Sequence, residues 1–184
     1  GRLLNYFLVP LYTHFFLPAE YGVVTEIYAY VAFLVVLLTF GMETTFFRKY
    51  NQSENKEHTY RQSFLIVSVI NGGFLTLALI FSSSIAAWML YPDHPEYIIW
   101  LAFIVVFDAL SAIPLAKLRA ENKAKKFAFV QLASIGTNII LNLFFIAYLK
   151  NMYDTHGSDF FLSGVYNPAL GVGYIFIANL FSSL

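Results

Sequence analysis

Nine of the eleven Lys and Arg residues fall in two short segments, Arg48–Arg61 and Lys117–Lys126, and long apolar runs flank both. Clustered cations alternating with nearly uncharged connectors are the charge signature of a chain that crosses a bilayer repeatedly. Two apolar runs separate the two basic segments, which places both on the same side. The intervening connectors, around Pro18–Tyr21 and Ser82–Glu96, carry acids and no Lys or Arg.

Composition agrees. Apolar residues make up 59% of the chain and charged residues 12%, about half the charged cover of a soluble domain. Formal net charge is zero, which argues against a nucleic-acid partner. Cysteine is absent, so disulfides and thiolate metal sites are excluded. The histidines His14, His58, His94 and His156 are scattered, without metal-ligand spacing. No Gly-rich phosphate loop or nucleophile elbow is present, so neither a cofactor nor an enzyme activity is expected.

A helix needs about 20 apolar residues to cross the hydrocarbon. The runs predict spans at about 1–17, 21–47, 63–85, 97–116, 127–149 and, from 172 onward, a sixth that the chain end at Leu184 truncates. Runs this continuous mean helices rather than barrel strands, which would alternate. The expected class is an all-α polytopic transmembrane bundle. The chain opens on Gly1-Arg2 without Met, so a fragment cut inside a span at both ends is expected. The positive-inside rule makes both basic segments cytoplasmic. The Pro18 turn, the Pro92–Pro95 loop and Lys150–Gly171 then face outward, the last as a loop or short surface helix. Trp88, Tyr91, Tyr97 and Trp100 fall where an outer aromatic belt belongs.

Polar groups at membrane depth are costly and mark candidate sites. Gln131, Ser134, Asn138 and Asn142 fall within roughly 80° of one another on the fifth helix. They either line a wet cavity suited to a sugar-like ligand or bond across helices. The first span carries Arg2, Asn5, Tyr6 and Thr13 on one face. Arg2 is either an anion contact, its guanidinium fork matching phosphate oxygens, or a snorkelling flank. Asp108 near the middle of the fourth span must be protonated, paired or hydrated; Arg2 is its expected partner, and cation coupling is the other reading. Glu26 and Glu43 lie near opposite ends of the second span, Glu43 close to Arg48 and Lys49. Pro10 and Gly72-Gly73 permit kinks or close helix approach.

Several stretches carry a family likeness: Gly1-Arg2-Leu3-Leu4-Asn5, Val9-Pro10-Leu11-Tyr12-Thr13, Pro18-Ala19-Glu20-Tyr21-Gly22, Leu38–Arg48, Lys117-Leu118-Arg119-Ala120-Glu121 and Tyr166-Asn167-Pro168. Together they resemble the bacterial polysaccharide-biosynthesis flippases that carry O-antigen and capsule repeat units. Those share a superfamily with multidrug extruders and the lipid II flippase. The resemblance implies two lobes around a central cavity, alternating access, and this chain as most of the N-terminal lobe. It implies an inner-membrane location and a lipid-linked oligosaccharide of the undecaprenyl diphosphate type as partner. Arg2 matches the family's arginine on the first helix, and Asn5 continues that stretch. Glu43 and Arg48 match a motif at the cytoplasmic end of the second helix, where a gating role is expected. Asp108, Gln131, Asn138 and Asn142 rest on position alone. Membrane lipids surround such a protein, and Na+ or H+ coupling through Glu26 or Asp108 is the expectation of the rival reading, a cation-coupled multidrug extruder. A glycan polymerase or ligase would want catalytic groups in a large outer loop; Lys150–Gly171 offers Asp154, His156 and Asp159 but no Arg.

Overall fold

The computed structural model describes residues 2–156 and 170–183, with side chains for 9–153, 155 and 170–183. The side chains of Arg2, Asn5, Tyr6, Asp154 and His156, and all of Asp159, Gly164 and Tyr166-Asn167-Pro168, lie outside the described residues. The elements in order are α1 (Arg2–Phe15), α2 (Pro18–Thr39), α3 (Met42–Gln52), α4 (Lys56–Ile80), α5 (Ser82–Trp88), α6 (Pro95–Ala120), α7 (Ala124–Asn142), a π-helical continuation (Leu143–Lys150), α8 (Asn151–His156) and α9 (Gly173–Ser183). Among the described residues there is no strand. Pro18–Gln52, Lys56–Ile80, Pro95–Ala120 and Ala124–Tyr153 are long and apolar enough to cross a membrane. The protein is an all-α polytopic membrane helix bundle.

Helix boundaries follow local chemistry rather than the edges of the apolar runs. Pro18 opens α2 at a position where a missing N–H costs nothing. Glu20 reaches back to accept from the Leu17 N–H at 2.8 Å. The second predicted span, 21–47, is broken: Phe40 and Gly41 both take positive φ, 46° and 62°. Only glycine adopts that conformation readily, so the Phe-Gly pair ends α2 and α3 starts afresh. The segment Arg48–Arg61, which lies between the second and third predicted spans, is mostly helix. Charged residues end an apolar run without ending a helix, and only Ser53–Asn55 interrupts it. Asn55 caps α4, its Oδ1 accepting from the His58 N–H at 3.0 Å. Ser82-Ser83-Ser84, at the end of the third predicted span of about 63–85, opens α5.

Contacts divide the chain into two compact units, Gly1–Ile27 with Gln131–Leu184, and Tyr28–Val130. In the second unit α4 and α6 pack antiparallel. Glu57 meets Lys117 at one end, and Ala78 and Leu101 share a cavity at the other. The face α4 buries is Thr59, Ser63, Val67, Asn71 and Ala78, a stripe of small and polar residues spaced by four from Thr59 to Asn71 and by seven from there to Ala78. It packs on α6, where Val67 meets Ile113 and Ala116; Ala102 and Ala109 are further small buried residues of α6. In lipid there is no hydrophobic drive between helices, so small residues that allow close packing do this work. The opposite face of α4, with Leu65, Ile66, Val69, Leu77 and Ile80, is exposed. That surface would be a liability in water and is the ordinary solvent contact of a helix in hydrocarbon. Gly72 and Gly73 sit in an unbroken helix with open space around them, so neither a kink nor a close approach arises there.

In the first unit the π-helical stretch, α8 and α9 meet around Leu149 and Tyr174, with Phe145, Tyr153 and Ile177 against them. Phe145 and Tyr174 stack at 5.2 Å.

Candidate functional site

Within the first unit the fifth-span stripe is the centre of a hydrogen-bonded chain at membrane depth. The Tyr12 hydroxyl on α1 donates to Asn142 Oδ1 at 2.9 Å. Asn142 Nδ2 in turn donates to the backbone carbonyl of Asn138 at 2.8 Å and to its Oδ1 at 3.2 Å. Asn138 Nδ2 reaches α9, at 3.1 Å from Ser182 Oγ and 3.4 Å from Asn179 Oδ1. Ser134 Oγ donates to the Ser182 carbonyl at 2.6 Å. Three helices are thereby joined by uncharged polar groups, which in hydrocarbon is a bonding pattern suited to holding helices together. Asn142 is fully buried at 0% exposure. Gln131, Ser134 and Asn138 are half-buried.

Sequence reasoning found the α7 half of this chain and missed its partners. Tyr12 reads as an ordinary membrane tyrosine, while Asn179 and Ser182 carried a usable signal, two polar residues three apart inside an apolar run. Thr13, assigned to the polar face of α1, turns its hydroxyl onto the carbonyls of Val9 and Pro10 instead.

A second cluster lies at one end of the second unit, where the two basic segments converge. Glu43 on α3 pairs with Arg119 at the end of α6, not with its sequence neighbours Arg48 and Lys49. Glu57 on α4 takes Lys117 at 3.0 Å and Arg61 at 3.2 Å. Tyr50 donates to Glu121 Oε1 at 2.8 Å, and Lys123 pairs with the other oxygen of that carboxylate. Lys117 also sits 4.0 Å over the Tyr60 ring. The hydrogen bond from Lys117 and then that from Arg61 hold the Glu57 carboxyl below the usual range. Lys123, then Tyr50, do the same to Glu121.

The remaining candidates are dispersed. Arg2 and Asn5 belong to the first turns of α1. Glu26 is an exposed residue of α2 in the first unit, and Arg48 an exposed residue of α3 in the second. Asp108 is half-buried midway along α6; Ser111 Oγ donates to its backbone carbonyl at 2.8 Å. His94 Nδ1 lies 2.8 Å from Glu96 Oε1 in the turn before α6. Among the described residues no three His, Asp or Glu side chains gather as a metal site. A cavity of about 280 Å³ between Leu77, Phe81, Trp88, Met89, Ile98 and Leu101 is lined almost wholly by apolar atoms.

Four helices long and apolar enough to cross a membrane are the build of a multi-pass membrane protein. Residues 13–154 match the family described as polysaccharide biosynthesis protein, and the chain belongs to that family. No curated protein and no solved structure matches it.

Proposed function

We propose that this protein is a flippase that moves lipid-diphosphate-linked oligosaccharide repeat units across the bacterial inner membrane, for surface polysaccharide. The reading is supported most by one combination: membership of a polysaccharide-biosynthesis family in a bundle whose membrane-depth polar groups on α7 are uncharged amides and hydroxyls. Such groups exchange hydrogen bonds with sugar hydroxyls at little electrostatic cost, as a hydrophilic glycan crossing hydrocarbon requires. In this account the chain acts as the N-terminal lobe of a two-lobed alternating-access transporter, not as an enzyme. Arg2 and Asn5 meet the diphosphate end of the ligand; Gln131 and Asn138 meet sugars. Asn142 orients Asn138 and joins them when its bond to Tyr12 opens. The convergent basic end is cytoplasmic, where Glu43 and Arg48 belong to the gate. The undecaprenyl carrier remains in the lipid.

Depletion of the protein in its host tests this. Lipid-linked repeat units should accumulate, accessible only from the cytoplasmic side, while their synthesis continues. Loss of synthesis itself would point to an enzyme. The half-buried Asp108 at the centre of α6 favours a second reading, a cation-coupled extruder; resistance to organic cations that tracks expression, with unchanged surface glycan, would select it.

A further inference from the structure

We infer that the exposed cations of α3 and of the first turn of α7 form a binding site for the phosphate headgroups of anionic phospholipids. Nine cations and the carboxylates of Glu43, Glu54, Glu57 and Glu121 crowd this end of the second unit. Glu43, Glu57 and Glu121 are committed to Arg119, to Lys117 and Arg61, and to Lys123; Glu54 is exposed in the α3–α4 link. Arg48, Lys49, Lys125 and Lys126 are exposed outside those pairs. The surplus charge on this end is positive.

Their position is set by packing. α3 is amphipathic: Phe46 and Tyr50 are buried against Val67, Ile113 and Ala116, which turns Arg48 and Lys49 outward. Arg119 joins α3 to α7, pairing with Glu43 and lying 5.4 Å over the Phe127 ring. Each cation pair continues into a hydrocarbon-facing surface. Phe33, Val36 and Leu37 on α2 and Phe40 in the turn after it are exposed just before α3. Phe129 and Val130 are exposed just after Lys125 and Lys126. A cation heading an apolar helix face is the complement of a phospholipid, anionic head above acyl tail. An amphipathic helix with basic residues on its polar face, lying beside a span, binds at that boundary. The site is distinct from the polar chain of the first unit and does not depend on which substrate is moved.

Native mass spectrometry of the purified protein, with phosphatidylglycerol and phosphatidylcholine of matched chains offered together, tests the site. The wild type should retain phosphatidylglycerol preferentially. R48Q/K49Q and K125Q/K126Q should each cut that preference at least about fivefold, the effect of one Lys or Arg near an anionic surface. R61Q/K150Q, which removes equal charge outside α3 and the first turn of α7, should leave it within about twofold. R48K/K49R keeps the charge and should keep the preference, which separates charge from misfolding. Equal retention of both lipids by the wild type would overturn the site. So would an undiminished preference in both glutamine variants, or displacement of phosphatidylglycerol by inorganic phosphate, the mark of a free-anion site.

Discussion

Tyr12 and Asn142, 130 residues apart, share a 2.9 Å hydrogen bond in which both groups are buried. It links α1 to the last turn of α7, and the helix passes into its π-helical stretch at the next residue. Tyr12→Phe and Asn142→Ala should each lower thermal stability in detergent. A double-mutant cycle should return a coupling of about 0.6 kcal/mol, the average such cycles give for hydrogen bonds between membrane helices. Additive effects would mean the bond contributes nothing.

The Glu43–Arg119 pair ties two segments that both carry the family likeness. Each side chain is about 40% exposed, so the pair contributes little to stability, about 0–1 kcal/mol. Its worth under the transport account is in holding α3 against α6. Glu43→Arg and Arg119→Glu should each impair export of surface glycan at normal protein abundance, and the double swap should restore much of it. No recovery in the double variant would separate the two residues functionally.

Acid should loosen the charged end. Glu57 and Glu121 are both held below the ordinary carboxylate range by cations and, for Glu121, by Tyr50. A depressed folded-state pKa adds stability above the unfolded value of about 4.3, and that stability is lost as pH falls through the folded value. The Tm should therefore fall as pH drops below about 4.3. Glu57→Gln with Glu121→Gln should flatten that part of the profile. An unchanged acid limb would place the titrating groups elsewhere.

The orientation is open to a chemical test. Single cysteines at Asn55 and Lys123 should resist an impermeant thiol reagent in intact cells, and ones at His94 and Thr155 should react. Labelling of the first pair from outside would invert the proposed topology.

The all-α class and the helices long and apolar enough to cross a membrane were legible in the sequence because lipid imposes one rule on every residue of a run. What periodicity could not supply was the partner of each polar group. Asn138 and Asn142 stand out on α7, yet whether an amide faces a ligand or another helix depends on α1 and α9, which the α7 sequence does not encode. Glu43 shows the same limit: Arg48 is near in sequence, but α3 turns it outward while α6 delivers Arg119. The break at Phe40-Gly41 was hidden inside an apolar run, where a single glycine is the whole signal. Asn71 is buried on α4 with its Nδ2 donating to the Val67 carbonyl at 2.8 Å. Its Oδ1 accepts no hydrogen bond, a feature with no trace in the sequence pattern.

The transport account rests most heavily on movement of a lipid-linked glycan and on positive charge at Arg2. Full-length protein reconstituted in liposomes, with a lipid-diphosphate oligosaccharide and an enzyme that trims glycans only on the outside, measures both at once. The account predicts trimming beyond the half initially exposed for wild type, almost none for Arg2→Ala, and partial recovery for Arg2→Lys, which keeps the charge but loses the fork. Trimming that stops at the exposed half with wild-type protein, or proceeds fully with Arg2→Ala, would contradict it.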